Sequence, residues 1–207
     1  MKYFDLKRQI DQLLVFSLKD IYLVDPGFRQ ATLYDWEKTN RVIKLKNNSY
    51  IFSDFQPRNL DYYLISNLLY EPSYISTELA LNHYGVIPEA VVRITAVTTN
   101  KTQVFQTAFA HFSYQKVRPE LFFGYNLLEV KNRMVQIASL EKAILDFLYL
   151  NPKVLHADDF SELRWNTQTL KDEIDWEKFN NYLAIFSSRA LVKRVKSLKV
   201  YLEKQEE

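Results

Sequence analysis

Apolar positions along the first fifty or so residues change period, and the changes predict a compact module. In YFDLKRQIDQLLVF, Phe4, Leu6, Ile10, Leu13 and Leu14 fall largely on one side of a helix, with charged groups on the others. Ser17 precedes Leu18, with Asp20 at the third helical position, a spacing that predicts a reciprocal cap on a second helix carrying Ile21, Leu23 and Val24. Asp25-Pro26-Gly27 stops that helix, and FRQATLYDWEKTN predicts a third, packing inward through Ala31, Leu33 and Trp36. In RVIKLKNNSYIF, Val42, Ile43 and Leu45 predict one strand, Asn47-Asn48 a turn, and Tyr50-Ile51-Phe52 the return strand. Three short helices and a hairpin form a winged-helix pattern over residues 1–54, with a boundary near Phe55-Gln56-Pro57-Arg58-Asn59.

Residues 58–207 read as a mixed α/β domain. Leu60 to Leu69 has a helical, aromatic-rich pattern closed by Pro72; Ser76 caps a second helix that Gly85 ends. VVRITAVTT, TQVFQTAF, AHFSYQKV, LFFGY and RMVQIA read as strands, and Ser139 caps an apolar helix through Leu150. Two further helices are expected near residues 158–164 and 175–203. The fold class is therefore α+β, without the repeated βαβ period of a doubly wound enzyme.

Composition narrows the chemistry. The 207 residues contain no cysteine, which removes disulfides, thiolate metal sites and cysteine nucleophiles. No apolar run approaches the roughly 20 residues that span a bilayer, and Met1-Lys2-Tyr3-Phe4-Asp5 does not open a secretion signal, so a cytoplasmic protein with no membrane association is expected. His83, His111 and His156 have no ligand spacing, and no phosphate-binding loop, dinucleotide fingerprint or nucleophile motif is present. No catalytic residue, metal or cofactor is expected, and Glu141 and Asp146, five apart, do not share a helix face.

With a net charge of only +2, affinity for a polyanion has to come from local arrangement. A helix in the major groove reads base edges through Arg and Gln, and a hairpin places lysines near phosphates. This assigns Arg29, Gln30 and Thr32 to the leading surface of the third helix, Tyr34 and Lys38 to backbone contacts, and Lys44 and Lys46 to the wing. A second basic stretch, Arg189, Lys193, Arg194, Lys196 and Lys199 with no acid between residues 184 and 202, offers auxiliary phosphate contacts. The pattern by itself fits equally a DNA reader and a non-catalytic protein-interaction or dimerisation unit that has kept the winged-helix fold.

The middle of the chain tips this balance. PSYISTELALNHYGVIPEAVVRITAVTTNKT, FAHFSYQKVRPELFFGY and QIASLEKAILDFLYL, together with the N-terminal module, resemble the AbiEi family of antitoxins and antitoxin-like transcriptional regulators of type IV toxin-antitoxin systems, over approximately residues 10 to 155. The resemblance implies a winged helix that binds double-stranded promoter DNA as an autorepressor, possession of a functionally paired nucleotidyltransferase-like toxin opposed without a stable protein complex, and a C-terminal domain contributing to antitoxicity. It places Arg29, Gln30 and Thr32 on the DNA-reading helix, Lys44 and Lys46 in the wing, and Tyr74, Ser76, Glu78, Tyr84, Gly85, Pro88, Tyr114, Pro119, Glu120, Glu141, Lys142 and Asp146 in the recognisable core. An inverted-repeat operator would need two binding modules or two chains with matching geometry, the latter being a homodimer on DNA.

Overall fold

The computed structural model describes residues 1–204. Three helices, α1 (Tyr3–Ile10), α2 (Leu18–Val24) and α3 (Gln30–Lys38), precede a hairpin of β1 (Val42–Lys46) and β2 (Ser49–Phe52). As the spacing predicts, the Ser17 N–H donates to Asp20 Oδ2 at 2.7 Å and closes the reciprocal cap of α2. The first helix stops earlier than its apolar pattern suggests, at Ile10. Phe4 is 74% exposed, and Tyr3 replaces it in the core, edge-on to Trp36 at 5.4 Å and Phe52 at 5.8 Å. Ala31 likewise faces solvent. Phe16, beyond α1, bridges to Tyr50 of β2 through reciprocal backbone hydrogen bonds of 2.9 and 2.8 Å.

The larger region continues with α4 (Asp61–Leu69), β3 (Ser73–Ile75), α5 (Thr77–His83), β4 (Arg93–Thr98), β5 (Gln103–Gln106), β6 (His111–Lys116), β7 (Tyr125–Val130) and β8 (Arg133–Ala138). Helices α6 (Leu140–Leu150), α7 (Ala157–Glu162), α8 (Thr167–Glu173), α9 (Trp176–Phe186) and α10 (Arg189–Lys204) follow. Four helices thus stand where the periodicity predicts two. LFFGY is not a strand: Pro119–Leu121 forms a 3-10 turn, and β7 begins at Tyr125. The mixed six-stranded sheet has the order β5-β6-β4-β3-β8-β7. Its inner strand β3 pairs antiparallel with β4 and parallel with β8. Tyr74 and Tyr114 leave opposite faces: Tyr74 reaches Lys142 of α6, and Tyr114 donates to the Ser66 carbonyl of α4 at 2.8 Å.

Helix α6 is the centre of this layer arrangement. Every residue from Leu140 to Leu148 is buried, the signature of a helix enclosed on all sides rather than amphipathic. Gly124 lets it sit close: at φ +73, a Cβ there would lie 2.9 Å from the Tyr182 ring and 3.2 Å from Lys142 Cγ. Gly124→Ala is expected to cost about 2 kcal/mol through left-handed strain and overpacking, read as a lower urea midpoint with an unchanged slope.

The hairpin has two faces. Val42, Tyr50 and Phe52 close the small core with Leu6, Ile10, Phe16, Ile21, Leu33 and Trp36, whereas Leu45 and Ile51 belong to the large core and Ile43 packs against it. A polar tie reinforces the junction, where Arg133 donates to the Gln12 carbonyl at 2.6 Å. Among the described residues, no helix is long and apolar enough to cross a membrane.

Candidate nucleic-acid interface

Helix α3 is held to the small core by Leu33 and Trp36, its two buried residues, three apart on one face. On the side away from that stripe, Gln30, Tyr34 and Lys38 recur at i, i+4 and i+8. Arg29 is the N-cap, Gln30 opens the first turn, and both are exposed, whereas Thr32 is half-buried and points to another side of the helix than Gln30. Tyr34 and Lys38 are exposed one turn apart, with Lys38 Nζ 4.4 Å from the Tyr34 ring centroid. Thr39 terminates the helix by donating its hydroxyl to the Asp35 carbonyl at 2.8 Å. Asp35 is exposed and Glu37 half-buried on the same helix, so attraction for a polyanion is concentrated at the N-terminal end.

The two wing lysines part company. Lys44 is exposed. Lys46 instead sits between domains, its Nζ 5.4 Å from both the Tyr70 and Phe105 rings, and burial pushes its ammonium down despite the opposing pull of Glu71. The strand ladder is irregular between Lys44 and Lys46, which defeats the simple alternation that would put both on one side. The tip is also held, because the Leu18 N–H donates to Asn48 Oδ1 at 3.1 Å. Lys46 is therefore half-buried against the larger region, whereas Lys44 is open to solvent.

The basic C-terminal stretch is also divided. Arg189, Lys193 and Lys196 are exposed on α10. Arg194 is 8% exposed and donates to the Leu148 carbonyl at 3.0 Å, which removes it from the surface set. Lys199 is half-buried, with Nζ 4.8 Å from the Trp176 ring. The helical spacing of Leu191, Arg194, Val195 and Leu198 carries this signal, since it puts Arg194 on the apolar stripe.

A second polar constellation lies wholly inside. Lys142 and Asp146, one turn apart on α6, form an ion pair with neither side chain exposed. Lys142 Nζ donates to Tyr74 OH at 2.7 Å; Tyr74 OH and Ser76 Oγ donate to Asp146 Oδ2 at 2.9 and 2.8 Å. The ammonium lies 5.0 to 5.2 Å from the ring centroids of Tyr74, Phe123 and Phe186. Burial pushes the Asp146 carboxyl up and the Lys142 ammonium down, and each partner opposes that on the other. With its groups consumed by one another and closed to solvent, this cluster acts as a structural pin joining β3 to α6. Glu141, Lys142 and Asp146 are 4%, 0% and 0% exposed, so the charges of this helix are met by partners within the fold.

Glu141 serves a different cluster, at the wall of a polar cleft of about 500 Å³ that also exposes Tyr84, Asn126 and Lys178. Burial works to raise its carboxyl, but Lys178 at 2.8 Å and the Ser139 hydroxyl at 2.9 Å outweigh that and hold it below the usual range. Tyr84 donates to the Ala138 carbonyl at 2.9 Å. No group of three His, Cys, Asp or Glu among the described residues is arranged to hold a metal. No protein-family model matches the chain, and no curated protein is significantly similar to it.

Proposed function

We propose that the chain is a sequence-selective DNA-binding protein whose first 54 residues work as a winged helix reading the major groove through α3. In this reading it is an antitoxin and autorepressor of the AbiEi kind that its sequence resembles, functionally paired with a nucleotidyltransferase-like toxin and acting on its own promoter as a homodimer. The observation that carries the proposal is the division of α3: Leu33 and Trp36 anchor it, while Gln30, Tyr34 and Lys38 along its other side and Arg29 at its N-cap are exposed. That is the arrangement a groove-reading helix needs, with base-pairing side chains at its N-terminal end and a cation and a phenol behind them. A protein-interaction role for the small module is the competing reading, favoured by the exposure of Phe4 at 74% and Leu23 at 83%.

Electrophoretic shifts with the chain's own upstream DNA and with unrelated DNA, over a salt series, test the proposal. Selective binding is expected, weakened at least about thirtyfold by Arg29→Ala with Gln30→Ala, since each base-reading side chain contributes roughly 1–3 kcal/mol. Both positions are exposed, so thermal stability should be unchanged. Absence of a selective shift by folded protein at low salt would overturn the proposal in favour of the protein-interaction role.

A further inference from the structure

Helices α9 and α10 meet at Ser187, whose left-handed backbone (φ 48) lets the chain reverse between them. A groove of about 560 Å³ runs along their junction. Its apolar lining comes from Leu183 and Ala184 of α9 and Val192 of α10. Arg189, Lys193 and Lys196 line the α10 side and, with Val192, follow the i, i+3, i+4, i+7 spacing of a single helix face. No acidic side chain lines the groove, and none of the three cations forms an ion pair with a described residue.

We propose that this groove docks an acidic amphipathic helix of a partner protein. The apolar stripe of such a helix would cover Leu183, Ala184 and Val192, and carboxylates along one flank would meet Arg189, Lys193 and Lys196. The complementarity is one-sided, because only the α10 wall is charged, and this fixes which flank of the incoming helix carries the acids. A DNA backbone fits less well. It would leave the apolar lining uncovered, and two of the five cations in this stretch, Arg194 and Lys199, are committed to the Leu148 carbonyl and the Trp176 ring.

The probe is a labelled peptide of about sixteen residues with leucines at i, i+3, i+4 and i+7 and flanking glutamates, titrated with the full chain by fluorescence anisotropy. Saturable micromolar binding is expected, at least about tenfold weaker when the glutamates become lysines or the leucines become serines. Lys193→Glu with Lys196→Glu should weaken the acidic peptide by a similar factor, and Val192→Glu should do so through the apolar lining; all three positions are exposed, so folding is preserved. Equal binding of the lysine-flanked peptide, or unchanged binding by these variants, overturns the proposal. So does a random DNA duplex that displaces the peptide from the same residues, which would assign the face to nucleic acid. The upstream-DNA shift of the same variants reports on α3 separately.

Discussion

Lys142→Met is expected to lower folding stability by about 3–5 kcal/mol, because it leaves the Asp146 carboxylate buried without a cation. Tyr74 and Ser76 continue to donate to that carboxylate, but two neutral hydroxyls do not replace an ammonium in a site closed to water. The deficit should shrink as pH is lowered. A stranded buried carboxyl titrates above its unfolded value, so its protonation favours the folded state, and stability falls as pH rises through the folded value. Asp146→Leu should cost a similar amount by stranding the ammonium among Tyr74, Phe123 and Phe186. The double variant should cost less than the sum, about 1–3 kcal/mol, since what remains is mainly two hydroxyls deprived of an acceptor. Urea denaturation of the four proteins closes the cycle; additive losses would mean that Lys142 and Asp146 do not stabilise each other.

This pin also marks where sequence reading stopped. The charges of EKAILD read as either a solvated face or a structural ion pair, since Lys142 and Asp146 have the i, i+4 spacing common to both. The opposing signal was present: Leu140, Ala143, Ile144, Leu145, Phe147 and Leu148 leave no polar side for a solvated helix, so its charges had to be paired internally. The Ser17 cap of α2, the Ser139 cap of α6 and the hairpin were legible because each depends on local chemistry. Strand β3 was not, because three residues are too few to show a period, and its place between β4 and β8 follows from long-range pairing. On the candidate interface, α3 was legible through Leu33 and Trp36. The half-buried setting of Lys46 was not legible because it comes from Tyr70 and Phe105, supplied by a region distant in sequence.

Ile51→Ala should separate docking of the small module from its integrity. Ile51 is 1% exposed and lies with Leu45 in the large core, while its strand neighbours Tyr50 and Phe52 face the small one. Truncation should cost about 2–5 kcal/mol, and the loss should fall on the junction. Residues 53 to 60, which contain neither helix nor strand, become the site of faster protease cleavage, and thermal unfolding divides into two transitions. Leu45→Ala should behave alike. Because α3 is anchored through Leu33 and Trp36 in the other core, DNA binding by the folded variant should survive. Phe16→Ala provides the contrast: Phe16 is 1% exposed, packs on Tyr50 and Phe52, and belongs to the small core, so its loss should abolish binding as α3 loses its platform. A single cooperative transition for Ile51→Ala, with binding lost in parallel, would instead mean that the hairpin transmits the fold of the large domain to α3 and that the two cores stand or fall together.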